Sequence, residues 1–119
     1  MPREIVVLSP TPPDVEALLR AGAAVDDQLR VRTLYGGAVH ELCTGDGTGD
    51  DAVLSVWQPN DVANRAEIGR LLPDAPSLPD PVWWVEAVAP WGERGRVGVA
   101  VAYELAAVLG GACVVQDGE

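Results

Sequence analysis

The chain has 119 residues, which fits one domain, and it carries eight basic against eighteen acidic side chains for a formal charge of −10. That balance excludes the basic surface that nucleic-acid binders present, and it opposes docking on anionic membranes. There is no Lys and no Phe, so every cation other than His40 is an Arg, and four Trp and two Tyr supply all the aromatic bulk; this usage suits a GC-rich, bacterial coding sequence.

In chain order, residues 3–8 form a β-branched run that predicts a strand, stopped by Ser9-Pro10. Thr11-Pro12-Pro13-Asp14 then offers a capping residue and a proline at a helix start. The helix is expected to reach about Ala23, with Val15, Leu18, Leu19 and Gly22 on its inner face.

Two runs, 29–35 and 38–43, flank Gly36-Gly37. A two-residue glycine loop suits a primed turn, whose central residues need positive φ. Tight pairing then sets Val31 opposite Leu42 and Thr33 opposite His40 on a face turned to the helices. Arg32 opposite Glu41, Leu34 opposite Val39 and Arg30 opposite Cys43 lie on the other, more solvated face.

A Gly- and Asp-rich loop (44–51) leads to a strand over 52–57. A second helix is expected from Asn60 to about Leu72, with Ile68, Leu71 and Leu72 inward. Four prolines between 73 and 81 predict a stiff, extended connection. A strand over 82–88, a helix over about 94–109 stopped by Gly110-Gly111, and a strand over 112–116 complete the order. The fold class expected is α+β: a single antiparallel-rich sheet of about six strands with two to three helices packed on one face, a ferredoxin-like variant.

Candidate functional residues fall in three groups. Asp46, Asp50 and Asp51 give the first loop a concentrated negative charge. The alternation Asp46, Thr48, Asp50 resembles the opening of a calcium loop, but Asp51 stands where the obligatory Gly belongs and Trp57 where the closing Glu belongs. No metal site is therefore expected. Trp83 and Trp84 are adjacent in a strand and must point to opposite faces, so one is expected in the core and the other is a candidate binding anchor. In Trp91 to Gly98, Gly92, Gly95 and Gly98 recur at spacing three before the last helix, with Arg94 and Arg96 among them. Such a stretch offers N–H groups and charge to an anion, without matching any phosphate-loop pattern. Glu104 lies about 60° from the centre of the apolar stripe Val97, Val101, Leu105, Val108, Leu109 and is a candidate desolvated acid.

His40 is the only histidine, and Glu41 points away from it, so a hydrogen bond to Thr33 or to backbone is expected. Cys43 and Cys113 are read as free thiols of a cytoplasmic protein, since no leader segment is recognisable at the start of the chain. No nucleophile–base constellation can be assembled and no cofactor is implied. The leading expectation is a small acidic interaction module, of the inhibitor, immunity-protein or antitoxin type, that masks a basic protein partner. The alternative is a small-ligand or anion-binding domain, or an enzyme, built around Gly92, Arg94, Gly95, Arg96 and Glu104. Oligomeric state is open.

Overall fold

The computed structural model describes residues 3–44, 51–62, 66–73, 75–76 and 82–116. The elements are β1 (Arg3–Ser9), α1 (Val15–Val25), β2 (Arg30–Leu34), β3 (Val39–Cys43), β4 (Ala52–Trp57), β5 (Asn60–Asp61), α2 (Ala66–Leu71), β6 (Trp83–Ala89), α3 (Glu93–Leu109) and β7 (Ala112–Gln116). They form one α+β unit with a single sheet in the order β2-β3-β4-β6-β1-β7, every neighbouring pair antiparallel, and β5 adds a short rung to β6. Because β6 and β7 both run antiparallel to β1, they run parallel to each other, with β1 between them. That is the split β-α-β arrangement, compatible with a ferredoxin-like variant.

The hairpin follows from its glycines. Gly36 at φ 65°, ψ 23° and Gly37 at φ 100° make the primed turn, closed by the Ala38 N–H donating to the Tyr35 carbonyl at 3.2 Å. The pairing Arg30–Cys43, Val31–Leu42, Arg32–Glu41, Thr33–His40 and Leu34–Val39 is the one expected.

α1 begins at Asp14, not Thr11. The Asp14 carboxylate accepts from the Ala17 N–H at 2.8 Å, whereas the Thr11 carbonyl accepts from the Ser9 hydroxyl and ties the preceding turn. Its buried face is Ala17, Leu18, Ala21 and Gly22, while Val15 and Leu19 stay exposed. The buried face is thus rotated from the expected one, and small residues win it because α1 lies close against α3 and the sheet. A Cβ on Gly22 would sit 2.8 Å from the Leu42 side chain.

α3 packs across β4, β6, β1 and β7 and also against α1, so both long helices cover one face. Two of its glycines explain how closely it lies. A Cβ on Gly98 would come 1.8 Å from the Val53 carbonyl oxygen, and one on Gly95 would come 1.5 Å from that of Pro90. The main core forms between this helix layer and the sheet, from Ile5, Val7, Leu18, Leu42, Leu54, Val56, Val85, Val101 and Leu105 among others. The stripe is centred on Val101 and Leu105 as expected, but Gly98, Ala102 and Ala106 flank them, and Val108 is exposed. Gly110 in the left-handed region (φ 72°) and a Gly111 N–H to Ala106 carbonyl bond of 2.8 Å close the helix.

The second helix is shorter than expected. Asn60 and Asp61 pair with Trp84 and Trp83 as strand, and among the described residues the helix spans Ala66–Leu71. Ile68 and Leu72 pack with Val6, Leu8, Val82 and Trp84 in a second cluster, whereas Leu71 is exposed. Since Val6 and Leu8 alternate with Ile5 and Val7 along β1, this cluster lies on the face of the sheet opposite α1 and α3. The Pro-rich connection lies largely outside the described residues.

Candidate functional site

Among the described residues, the face opposite α1 and α3 is covered at one end, by the α2 cluster. Across its middle the strands place their outward side chains in ordered rows. One row runs Arg32, Glu41, Ser55, Val88, Glu4, Gln116, read directly from the pairing registers. The next runs Leu34, Val39, Trp57, Glu86, Val6, Val114, with Trp57 meeting Glu86 one step beyond the Val56–Ala87 pair. Glu4, Trp57, Glu86 and Gln116 are all exposed, Trp57 at 42%.

A depression of about 350 Å³ opens on this face between Trp57 and Trp84 on one side and Glu4 and Gln116 on the other, with Val6 and Val88 as its floor and Glu86 at its centre. The indole N–H of Trp84 donates to Glu86 Oε2 at 3.2 Å and holds that carboxylate over the floor. Shallower depressions continue it on both sides. One runs past Trp57 and Glu86 to Gln58 and Asn60, and another past Val88 and Ser55 to Glu41 and Arg94. In that second direction Arg32 donates to Glu41 from Nε at 3.1 Å and Nη2 at 2.6 Å, and the Ser55 hydroxyl donates to the same carboxylate at 3.1 Å. The hydrogen bond to Glu41 raises the Arg32 pKa above its ordinary value. Glu41 is thus committed to Arg32, whereas Glu4 and Glu86 are acids in a depression that no basic side chain lines among the described residues.

The sequence candidates are distributed differently from this site. Trp84 belongs to it. Trp83 sits one residue away on the helix side, opposite Ser9 and Asp61 at the end of the sheet, and is half-buried; neither indole occupies the main core. Asp46 and Asp50 lie outside the described residues. Asp51 is half-buried, its carbonyl accepts from the Thr44 N–H at 3.1 Å and hydroxyl at 3.3 Å, and its Oδ1 is enclosed without a hydrogen-bond partner among the described residues.

The Gly92–Gly98 stretch is helix rather than loop from Glu93 onward. Gly92, at φ 90°, makes the entry turn, and Gly95 and Gly98 are the two close-contact positions against Pro90 and Val53. Glu93 places a carboxylate in the first turn, and Arg96 reaches it at 3.3 Å, both well exposed. Arg94 is exposed at the margin of the open face. Glu104 is exposed at the edge of the apolar stripe, not desolvated. The three glycines are therefore accounted for by the entry turn and by close contact with the Pro90 and Val53 carbonyls.

His40 Nδ1 lies 3.0 Å from the Thr33 hydroxyl. Cys43 and Cys113 are both free. Their strands stand four positions apart in the sheet, roughly 19 Å at about 4.8 Å per strand, far beyond disulfide reach. Burial pushes the Cys113 thiol up to about 12 and raises that of Cys43. Among the described residues no three His, Cys, Asp or Glu side chains gather as a metal site, and no helix is long and apolar enough to cross a membrane.

Sequence reasoning missed Trp57, Glu86, Glu4 and Gln116. The signal was period-two alternation: Trp57 and Ser55 share a face, as do Trp84, Glu86 and Val88, and Glu4 and Val6. What brings these three sets together is the strand order β4-β6-β1, which local sequence does not encode. Comparison with known proteins finds no matching family model, no matching curated protein and no matching solved structure.

Proposed function

We propose that this chain is a protein-interaction module of the inhibitor type, and that the open face of its sheet docks on a basic protein partner. The observation that carries the reading is Trp57, 42% exposed on a sheet face beside the acid Glu86, on a chain of net charge −10. A large indole left accessible at the centre of a broad face is costly in water and is the residue type that most often anchors interfaces. The rigid sheet beneath fixes it, so little conformational entropy is lost on docking. The surrounding carboxylates would speed association with a basic surface and disfavour acidic ones.

The anion-binding alternative centred on Gly92, Arg94, Gly95, Arg96 and Glu104 has less support. Gly95 and Gly98 are occupied with packing, Glu93 puts negative charge at the helix start, and Arg96 pairs with it.

The test is capture of partners from lysate of the native host by the immobilised chain at low and high salt, run beside Trp57→Ala and Glu4→Gln/Glu86→Gln chains. A basic protein retained at low salt, released at high salt and lost from both variants is the expected result. A flat capture profile, together with a melting temperature raised by anions or nucleotides, would instead favour the anion-binding alternative.

A further inference from the structure

Resting on the docking reading above, we infer that the depression between Trp57 and Trp84 is a receptor for a single arginine side chain of the partner. Its chemistry is complementary to a guanidinium at each side. Two indoles line it, and a cation over an indole face is attracted by the ring quadrupole. Glu86 stands between them at the centre, oriented by the Trp84 N–H, which occupies Oε2 and leaves Oε1 to accept from an incoming donor. Glu4 lies diagonally across the β1–β6 ladder, since Glu4 pairs with Val88 and Glu86 with Val6. Such diagonal neighbours are roughly 7–8 Å apart at their backbones, so both carboxylates can reach donors on one planar group placed between them. The floor of Val6 and Val88 suits the methylene stem that an arginine lays on apolar surface.

Size and charge narrow the occupant. At about 350 Å³ the depression is at the bottom of the roughly 300–1,000 Å³ range of small-molecule pockets, and it is open to solvent, which suits a side chain entering from a docked surface better than an enclosed cofactor. No cation of the chain itself lines it among the described residues, unlike the neighbouring Glu41, whose carboxylate already holds Arg32. Arginine fits better than lysine because its planar fork both stacks on an indole and donates to two carboxylates at once, whereas an ammonium is a point charge that stays more strongly hydrated.

The experiment is a titration of the full chain, labelled with ¹⁵N, with Gly-Arg-Gly, Gly-Lys-Gly and Gly-citrulline-Gly peptides, following the four indole N–H signals, with Trp57→Phe and Trp84→Phe chains to assign them. Citrulline keeps the shape of arginine and removes its charge. The expected result is saturable movement of the Trp57 and Trp84 signals by the arginine peptide with a Kd of roughly millimolar order, as a solvent-open cation–π and ion-pair contact allows. Lysine should bind several-fold more weakly and citrulline should not saturate. Glu86→Gln should weaken arginine binding about tenfold, the scale of one charged hydrogen bond. The indole signals of the unliganded variant report whether the face is intact. Equal response to arginine and citrulline, movement confined to Trp83 and Trp91, or an unchanged affinity in Glu86→Gln each overturn the arginine receptor.

These outcomes separate the two proposals. A basic partner whose binding needs Trp57 while the arginine peptide moves nothing leaves the docking face standing without the receptor. Arginine binding without any salt-sensitive protein partner leaves a receptor for a small guanidinium ligand and removes the docking reading.

Discussion

On the face covered by α1 and α3, the sheet and helices meet through small residues: Gly98 against the Val53 carbonyl, Gly95 against the Pro90 carbonyl, Gly22 against Leu42, with Ala17, Ala21, Ala102 and Ala106 filling the same layer. On the opposite face the same strands present Trp57, Trp84, Glu4, Glu86, Glu41 and Arg32, and among the described residues the α2 cluster lies over one end of it. The contrast assigns different duties to the two sides. A layer packed to backbone contact tolerates almost no change of volume, so selection there is for shape. A face that carries large aromatic and charged side chains contributes little to the core, and its composition is available to recognition.

The strongest way to break that contrast is to add volume where the covered face has none. Gly98→Ala would put a methyl 1.8 Å from the carbonyl oxygen of Val53, in the middle of a sheet that cannot rotate it away. The helix must lift, and the expected loss is about 4 kcal/mol, at the severe end for overpacking. Leu105→Ala, at the centre of the buried stripe of α3, should cost about 3 kcal/mol by opening a cavity. The control is Leu19→Ala on α1, where the side chain is 48% exposed and the loss should stay below about 1 kcal/mol. All three are read by urea unfolding. A Gly98→Ala chain as stable as the parent would mean that α3 does not sit against β4 as described.

A second test sharpens the covered face chemically. Cys113 on β7 pairs with Val7 and packs beside the main core, and its burial places the thiol pKa at about 12. At pH 8 the native thiol is therefore almost entirely protonated, and alkylation should proceed far more slowly than in urea, with two modified thiols after unfolding. The linkage has a defined sign. The folded thiol keeps its proton over a range in which the unfolded one, near 9, has lost it. Stability from this group is complete below about pH 9 and declines as pH rises toward 12. Cys113→Ser, whose hydroxyl does not titrate there, should reduce that decline. An alkaline unfolding profile identical in the two chains would show that another group sets it.

The sequence revealed the elements better than their assembly. The hairpin register was legible, because Gly36-Gly37 dictates the turn and the turn dictates the register, although the strands stop at Leu34 and Val39, short of an expected Tyr35–Ala38 pair. The last strand and the Gly110 stop were legible for the same local reason. The start of α1 was misplaced because Thr11 and Asp14 are both competent caps, and which of them acts depends on how Ser9 ties the preceding turn. Asn60 and Asp61 looked like the beginning of a helix, but pairing with Trp84 and Trp83 takes them into the sheet, a tertiary contact that overrides local preference. The glycines at 92, 95 and 98 suggested a ligand loop; only the position of the Val53 and Pro90 carbonyls shows that two of them are there for clearance. The candidate site was the least legible part. Trp84 was singled out, but its companions Trp57, Glu86 and Glu4 come from three strands that become neighbours only in the order β4-β6-β1.

The smallest expected effects are on the open face, and they are the most informative about it. Glu4→Gln and Glu86→Gln together remove two exposed carboxylates that are paired with no cation of the chain in the described structure, the only partner of Glu86 being the Trp84 indole at 3.2 Å. An amide oxygen can still accept from that indole, so folding stability should move by less than about 0.5 kcal/mol, as for ordinary surface substitutions. Association with a basic partner should behave differently. Long-range attraction sets the encounter rate, and the pair lies at the centre of the proposed footprint, so the on-rate should fall roughly threefold at low ionic strength. That difference should shrink as salt approaches 0.1 M and beyond, where charges more than about 10 Å apart are screened. Neutralising Asp46, Asp50 and Asp51 provides the comparison, because those acids contribute to the same net charge from a separate stretch of the sequence. If those three acids steer the partner, the triple substitution slows association more than the pair does, and Trp57→Ala leaves the dissociation rate alone. If the sheet face is the interface, the pair has the larger effect on the on-rate, and Trp57→Ala raises the dissociation rate while the triple substitution does not. An on-rate indifferent to both sets and to salt would remove electrostatics from the account and leave the exposed Trp57 indole as its only support.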